Sequence, residues 1–125
     1  MKILLVDDDP LQAFVRKSLL ERRFPDVQRV AGAAEALCLV EQPLFAGSLG
    51  LIVSGHHSAG IGGPAFVAEL HTRIPLLPVL VLGDSSENRT DYSGENVGFL
   101  PRPILAKEML ALASRLMAQN AIKTA

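Results

Sequence analysis

Three consecutive carboxylates, Asp7, Asp8 and Asp9, close an apolar run over residues 3–6. Clustered carboxylate oxygens are the ligands that Mg²⁺ prefers, because this hard cation binds oxygen and keeps several of its waters. A later apolar run, over residues 51–54, ends at Gly55, which has no nucleophilic side chain. The sequence therefore predicts an acidic cluster suited to Mg²⁺ after the first of these runs and no nucleophilic side chain at the end of the later one.

Short apolar runs that alternate with segments of helical periodicity must position these residues. The sequence predicts strands over residues 2–6, 27–31, 51–54, 79–82 and 97–100. Strands that alternate with helices indicate right-handed βαβ units and a doubly wound parallel sheet. Ligands of such sheets bind beyond the carboxyl ends of the central strands. We therefore expect one crevice surrounded by residues 7–9, 55–60, 83–84 and 101–103.

The first predicted helix has a clear start signal. Asp9 can cap it, Pro10 suits its first turn, and Gln12 sits where the side chain of a capping box reaches back. The helical period predicts an amphipathic stripe that consists of Leu11, Phe14, Val15, Ser18 and Leu19.

Further helices are predicted over residues 33–41, from Pro64 onward, and at the end of the chain. A loose loop is expected through Gly47 and Gly50, and the loop after the third strand should cover residues 55–63. The segment 84–96 is polar and lacks an apolar stripe, so we expect a loop with at most one helical turn.

Composition limits the functional classes. A chain of 125 residues with 49% hydrophobic and 20% charged side chains suits one domain, predicted over residues 1–120 with 121–125 as a C-terminal tail. A net charge of -1 without a basic run argues against direct nucleic-acid binding. No signal-peptide pattern or membrane-length apolar run is visible, so a cytoplasmic protein without membrane contact is expected. Cys38, among apolar neighbours, is predicted to be a buried thiol.

Several motifs fall at corresponding strand ends and resemble those of one known family. They are Leu5-Val6-Asp7-Asp8-Asp9-Pro10, Ser58-Ala59-Gly60-Ile61-Gly62-Gly63, Pro78-Val79-Leu80-Val81-Leu82 and Phe99-Leu100-Pro101-Arg102-Pro103. Together they resemble the receiver (CheY-like) domain of two-component response regulators. The resemblance implies a flavodoxin-like five-stranded parallel sheet of order 2-1-3-4-5. It also implies transfer of a phosphoryl group from a histidine kinase to an Asp at the end of strand three.

The match to the receiver pocket is partial. Asp7 and Asp8 match the acidic pair that helps to hold Mg²⁺, with Asp8 as the direct ligand. Gly55 stands at the acceptor position, and Gly83 replaces the Thr or Ser that binds the phosphoryl group. Arg102, ahead of Pro103, matches the family's Lys before a cis-proline; its charge is kept and its geometry differs.

The resemblance also implies a conformational switch that this chain has lost. Phe99 matches the family's aromatic switch position, but its hydroxyl partner is missing, so a partly buried core aromatic is expected. The segment 84–96, which aligns with the family's fourth helix, is predicted to be shortened or irregular. From family usage, the docking face is expected on the fifth strand and last helix, where Phe99, Lys107, Glu108 and Arg115 lie.

Like charges at Asp7 and Asp8 repel unless a cation lies between them. The first hypothesis for that cation is an ion pair between Arg102 and Asp8 across the crevice. A weaker alternative uses His56 as a ligand or pH-sensitive partner, although His56 and His57 are expected to be exposed loop residues.

Two further options carry little weight. The side chain of Ser54 should point away from the crevice, because side chains alternate along a strand. A phosphate nest at Gly60, Gly62 and Gly63 lacks the lysine or spacing of a known phosphate-binding motif.

The favoured interpretation is a degenerate, phosphorylation-independent receiver-like domain that is not an enzyme and binds no cofactor, or Mg²⁺ weakly. Its expected partner is a histidine kinase, another receiver or an effector protein, and a homodimer is plausible. The alternative is a phosphoacceptor that uses Asp7, Asp8 or a histidine. An enzyme that uses the Asp pair and a metal would need substrate-positioning groups that the sequence does not offer.

Overall fold

A computed structural model describes residues 1–58, 61–84, 86–92, 94 and 96–124. The side chains of residues 57–58, 86–88 and 120–124 are outside this description. In chain order the elements are β1 (Lys2–Val6), α1 (Pro10–Glu21), β2 (Val27–Val30), α2 (Ala33–Val40), α3 (Pro43–Ser48), β3 (Leu49–Gly55), β4 (His57–Ser58), β5 (Ile61–Gly62), α4 (Gly63–Arg73), β6 (Val79–Leu82), a 3-10 helix (Ser86–Asp91), β7 (Val97–Leu100) and α5 (Ala106–Thr124).

Five strands form a parallel sheet of order β2-β1-β3-β6-β7. This order is the predicted 2-1-3-4-5 arrangement once β4 and β5 are set aside, since these two pair only with each other in a short antiparallel ribbon. Val6 pairs with Val30 and with Ser54, and Ser54 pairs with Val81. The carboxyl ends of the central strands are therefore level, which brings the residues that follow them to one edge.

The two faces of the sheet build two apolar clusters. Ile3 and Leu5 of β1 face one cluster while Leu4 and Val6 face the other, as strand alternation requires. One cluster includes α2 and α4, with Phe66 fully buried, and the other includes α1 and α5, with Met109 fully buried. Helices cover both faces, which is why the inner strands are almost continuously apolar.

The predicted burial of α1 is wrong. Ala13 and Leu20 are its buried residues, whereas Leu11, Phe14 and Val15 are exposed. Arg16 lies on the same helical face as Ala13 and Leu20, and its side chain is largely buried. Because Arg16 interrupts the row of apolar residues that faces the sheet, the apolar periodicity of the sequence indicated the exposed face of the helix instead.

The predicted loop through Gly47 and Gly50 is also wrong, because α3 covers Pro43–Ser48 and β3 begins at Leu49. Pro43 stands in the first turn of α3, where a missing N–H is tolerated. Gly50 is buried within β3, and a Cβ there would lie 2.8 Å from Met1 Cβ. This glycine reflects close packing and not a turn.

Three smaller predictions had different outcomes. The segment between β6 and β7, which aligns with the family's fourth helix, is irregular, as expected. Its 3-10 helix has six residues and so about two turns, although at most one turn was expected. Cys38 is exposed and not buried, because α2 turns Ala33, Ala36 and Val40 toward the sheet. The helix α5 runs to Thr124, and residue 125 of the expected tail lies outside the described residues.

Across the described ranges, no helix is both long enough and apolar enough to cross a lipid bilayer.

The core of the α2–α4 side depends on Phe66. We predict that Phe66→Ala lowers the free energy of unfolding by about 3–5 kcal/mol, because a fully buried aromatic leaves a cavity. Urea denaturation followed by circular dichroism measures this loss. Leu44→Ala on α3, where the side chain is almost fully exposed, is the control and should change stability by less than about 0.5 kcal/mol. Equal losses for the two variants would contradict the assignment of the core.

Candidate functional site

A cleft of about 210 Å³ opens at the carboxyl edge of the sheet. It lies where β1, β3 and β6 end, as the strand register requires. Its lining consists of Val6, Asp7, Asp8, Asp9, Gln12, Arg16, Ala31, Gly55, His56, Leu82, Asp84 and Arg102. The structure thus brings the acidic triplet, the acceptor position and Arg102 together. Ala59 and Gly60, part of the expected crevice and nest, lie outside the described residues.

Asp7 is the buried carboxylate of this cleft. Its Oδ2 accepts hydrogen bonds from Arg16 Nη1 at 3.1 Å and from Gln12 Nε2 at 3.3 Å. Its Oδ1 accepts a hydrogen bond from the backbone N–H of Asp9 at 3.0 Å. Both oxygens are therefore occupied by donors from α1 and its N-cap.

The Asp7–Arg16 ion pair is shielded from solvent, with 4% and 11% of the respective side chains exposed. Burial lowers the pKa of the Arg16 guanidinium below its ordinary value; the charge of Asp7 and its hydrogen bond oppose this effect, and the charge of Arg102 adds to it. Arginine remains protonated in proteins even so. The cation that neutralises the buried carboxylate is thus part of the chain.

A second arginine holds the backbone of the same residue. Arg29 on β2 donates from Nε and Nη2 to the carbonyl oxygen of Asp7, at 3.0 and 2.8 Å. The backbone N–H of Asp7 donates to the carbonyl oxygen of Val30 at 3.0 Å. The end of β1 is therefore fixed from β2 as well as from α1.

The other two carboxylates of the triplet have different surroundings. Asp9 caps α1 as predicted, since its Oδ1 accepts hydrogen bonds from the N–H groups of Leu11 and Gln12. The reciprocal half of the capping box does not form, because Gln12 reaches Asp7 and not the Asp9 backbone. Asp8 is exposed to solvent, and among the described residues no ion pair or hydrogen bond joins its side chain.

Gly55 ends β3 at the floor of the cleft. A Cβ added there would meet only the carbonyl oxygen of Leu82, at 3.9 Å, which is ordinary contact. A side chain at this position would therefore meet no backbone clash at its Cβ. Ser54 is buried and does not line the cleft, and its hydroxyl donates to the Gly55 carbonyl at 3.2 Å.

The ring of Phe99 occupies the space beside Gly83. A Cβ on Gly83 would collide with Phe99 Cζ, so a Thr or Ser there would require the ring to move. Phe99 is buried, packs against Tyr92 at 5.8 Å between ring centroids, and has Arg89 over its ring. The expectation that Phe99 is a core aromatic agrees with this position, and its assignment to a docking face does not.

His56 is buried against the 3-10 helix region, which contradicts the exposed loop residue that we expected. Its Nδ1 and the hydroxyl of Tyr92 are hydrogen-bonded at 2.7 Å, and its Nε2 lies 3.8 Å from Asp91 Oδ2. Burial raises the pKa of Tyr92 to about 12, and the nearby Asp91 charge adds to this effect. His56 therefore connects the end of β3 with the 3-10 helix region.

The predicted Arg102–Asp8 ion pair is absent from the described part of the chain. Arg102 Nε lies 3.7 Å from Asp84 Oδ1, and both side chains are about half exposed. The peptide bond between Arg102 and Pro103 is cis, as the resemblance implied. Arg16 neutralises the buried carboxylate, so Arg102 remains at the mouth of the cleft.

The donor set does not fit the Mg²⁺ ion that the resemblance implies. Both oxygens of Asp7 already accept hydrogen bonds, and the acceptor position supplies no oxygen from a side chain. Within the described residues, no group of three or more His, Cys, Asp or Glu side chains is arranged to hold a metal ion.

The remaining residues of the predicted docking face, Lys107, Glu108 and Arg115, are exposed on α5.

Sequence reasoning missed Arg16 and Tyr92. Both carry a signal that a closer reading would find: an arginine that interrupts the apolar face of a helix, and the single tyrosine of the chain in an otherwise polar segment. Neither signal names the partner, because Arg16 and Asp7 are nine residues apart and His56 and Tyr92 are 36 apart.

Comparison with solved structures identifies the fold. A response regulator receiver domain protein from Clostridium thermocellum has a TM-score of 0.87 at 18% identity, over 97% of each chain. A CheY-like receiver domain protein from Methanospirillum hungatei JF-1 has a TM-score of 0.83 at 19% identity, over 98% of this chain and 97% of that one. The receiver domain of the hybrid histidine kinase CckA has a TM-score of 0.76 at 27% identity, over 94% and 99%.

The chain therefore has the fold of response regulator receiver domains. No protein-family model and no curated protein matches the sequence.

The buried ion pair yields a stability prediction. Arg16→Met should lower the free energy of unfolding by about 3 kcal/mol, because it leaves the Asp7 carboxylate buried without its counter-charge. Lys17→Met is the matched control, since the neighbouring Lys17–Glu21 pair is exposed and should contribute less than about 0.5 kcal/mol. Urea denaturation at pH 7 measures both. Equal effects would mean that the ion pair does not stabilise the fold.

The raised pKa of Tyr92 yields a pH prediction. Phenolate absorbance should appear with a midpoint near pH 12, and the signal is unambiguous because the chain has one tyrosine. Because the folded state prefers the protonated phenol, stability should be unaffected below pH 10 and should fall as the pH rises from 10 toward 12. A midpoint at pH 10 while circular dichroism reports a folded protein would contradict the burial of this hydroxyl.

Proposed function

We propose that this chain is a phosphorylation-independent receiver-like domain that regulates by binding proteins and is not an enzyme. The observation that carries the proposal is the cleft itself. Its acceptor position is Gly55, and its buried carboxylate is already neutralised by Arg16. A receiver needs a free nucleophile and a site for a cation, and these two features oppose both requirements.

The hydrogen bonds of Asp7 support this proposal over phosphorylation at an unusual position. Three donors bind the two oxygens of Asp7, and each of them lowers the nucleophilicity of the carboxylate. Asp8 lies in solvent at the rim, and the contacts of His56 lead to Tyr92 and Asp91. Mg²⁺ binding, if measured, should be weak for the same reason.

The surroundings of Phe99 support a fixed signalling state. In the receiver domains that the chain resembles, an aromatic residue at this position responds to the Thr or Ser at the end of the preceding strand of the sheet. Here Gly83 offers no hydroxyl, and the ring is held between Tyr92 and Arg89. The domain would therefore present one conformation to its partners whether or not acyl phosphates are present.

The proposed partners are components of two-component signalling in the cytoplasm: a histidine kinase, another receiver or an effector protein. This assignment rests on the fold and on neighbours such as the receiver domain of the hybrid histidine kinase CckA. The exposed residues Lys107, Glu108 and Arg115 on α5 remain available for such a contact. Phe99 is removed from this face because it is buried.

Incubation with acetyl phosphate and Mg²⁺ tests the proposal by intact-protein mass spectrometry. The protein should gain no phosphoryl group, which would add about 80 Da. Gly55→Asp is the matched variant, because the site has room for its Cβ. We expect this variant to gain little label, because it restores the nucleophile while Arg16 still neutralises Asp7. Combining it with Arg16→Met should raise an acid-stable, hydroxylamine-sensitive label, which shows that the reagent reaches the cleft.

Stoichiometric labelling of the unchanged protein would contradict the proposal. Tandem mass spectrometry would then identify the residue that accepts the phosphoryl group, with Asp7, Asp8 and His56 as the first positions to inspect.

A further inference from the structure

The outer face of α1 carries an apolar surface that the proposed function does not use. Leu11, Phe14 and Val15 follow one another at helical spacing and are 73%, 70% and 49% exposed. Leu105, just before α5, is 52% exposed. We call these four residues the α1 patch.

A groove beside the α1 patch can receive a side chain. Its volume is about 270 Å³, and most of its lining is apolar: Gln12, Val15, Arg16, Leu19, Ile104 and Met109. Val15 belongs to both the patch and the groove, and Ile104 is the chain neighbour of Leu105. Phe14 projects on the other side of Val15, toward Pro10 and Arg29. The same face thus offers a large apolar side chain and a recess next to it.

The area of the patch suits one half of a protein interface. The exposed fractions correspond to roughly 400 Å² of apolar surface. A standard interface buries about 800 Å² on each partner, somewhat more than half of it apolar. The apolar area of the patch is therefore of the size that one side of a standard interface uses.

The charges along α1 indicate which partner fits. Asp8 and Asp9 stand at its N-terminal end, and Arg22 and Arg23 stand at its C-terminal end; all four are exposed. In an antiparallel pair of two such helices centred near Val15, the acidic end of each copy lies against the basic end of the other. Antiparallel helix dipoles favour the same arrangement.

We propose that two copies of this chain associate through their α1 patches, in an antiparallel arrangement with twofold symmetry. Phe14 of one copy enters the groove between α1 and α5 of the other, and the twofold axis lies near Val15. A twofold interface is self-complementary, which the mirrored charges at the two ends of α1 satisfy. The inference is independent of the proposed function, because the exposed face of α1 offers the same surface whether or not the cleft accepts a phosphoryl group.

Sedimentation velocity over a concentration series tests this association. The mass should rise from 13.4 kDa toward twice that value, with a dissociation constant on the order of micromolar for an interface of this size. Phe14→Ser should weaken the association by about tenfold or more, because it removes the central aromatic anchor. Leu44→Ser on α3, which is even more exposed than Phe14 and lies on the other side of the sheet, should leave it unchanged. Circular dichroism verifies that each variant is folded.

A charge exchange tests the antiparallel arrangement. Asp8→Arg and Arg22→Asp should each weaken self-association, because each places like charges against each other. An equimolar mixture of the two variants should restore a dimer, since every contact across the axis is then between opposite charges. A mixture that stays monomeric would overturn the arrangement.

A monomeric mass for the unchanged protein up to about 1 mM would overturn the inference altogether, because standard-sized interfaces associate well below that concentration. Equal dimerisation of Phe14→Ser and the unchanged protein would overturn it as well. The α1 patch would then belong to a contact with a different protein or to none.

Discussion

The rest of the cleft depends on one ion pair, between Asp7 and Arg16. A carboxylate at the end of a buried strand must be neutralised, because an isolated charge is far less stable in a low-dielectric interior than in water. In this chain the guanidinium is that of Arg16 on α1, the helix that follows the strand that ends before Asp7. Its requirement to reach Asp7 turns the Ala13, Arg16 and Leu20 side of α1 toward the sheet. The same rotation exposes Leu11, Phe14 and Val15, so one electrostatic constraint determines both the interior of the cleft and the outer surface of the helix.

A second set of contacts leads away from the cleft through His56, which lines it. Gly83 leaves a space that the Phe99 ring fills, Tyr92 packs on that ring, and the Tyr92 hydroxyl binds His56. His56 also bonds through its backbone to Leu82 and Gly63. The resemblance implies a mobile hydroxyl at the position of Gly83 and a mobile aromatic at the position of Phe99. In this chain the Phe99 ring packs against Gly83 and Tyr92 instead. Under the proposed function, glycine at the acceptor position and glycine at the hydroxyl position are consistent with each other, because the acceptor and the switch of a receiver act together.

The fold was accessible from the sequence because it depends on patterns of residue type. Apolar runs at regular spacing predicted the five parallel strands, the resemblance to receiver domains implied their order, and Asp9 before Pro10 predicted the start of α1. The crevice followed, because parallel strands end at one edge. The partners within it did not follow. The predicted pair of Arg102 and Asp8 rested on their nearness along the edge of the sheet. The guanidinium that reaches Asp7 is that of Arg16, and the rotation of α1 cannot be predicted from an apolar period that Arg16 interrupts. His56 was expected in solvent because its partner, Tyr92, is remote in sequence. Gly50 was interpreted as a loop residue, although tight packing against Met1 requires it.

The central claim is that the cleft is neutralised from within and does not respond to phosphoryl donors. A backbone NMR titration with Mg²⁺ and then acetyl phosphate addresses it most directly, with the amides of Asp7, Asp8, Arg16 and Phe99 as reporters. We expect small changes limited to the rim around Asp8, or none. Changes that spread through Arg16 to Phe99 and along α5 would contradict the claim, because they would show a displaced ion pair and a working switch.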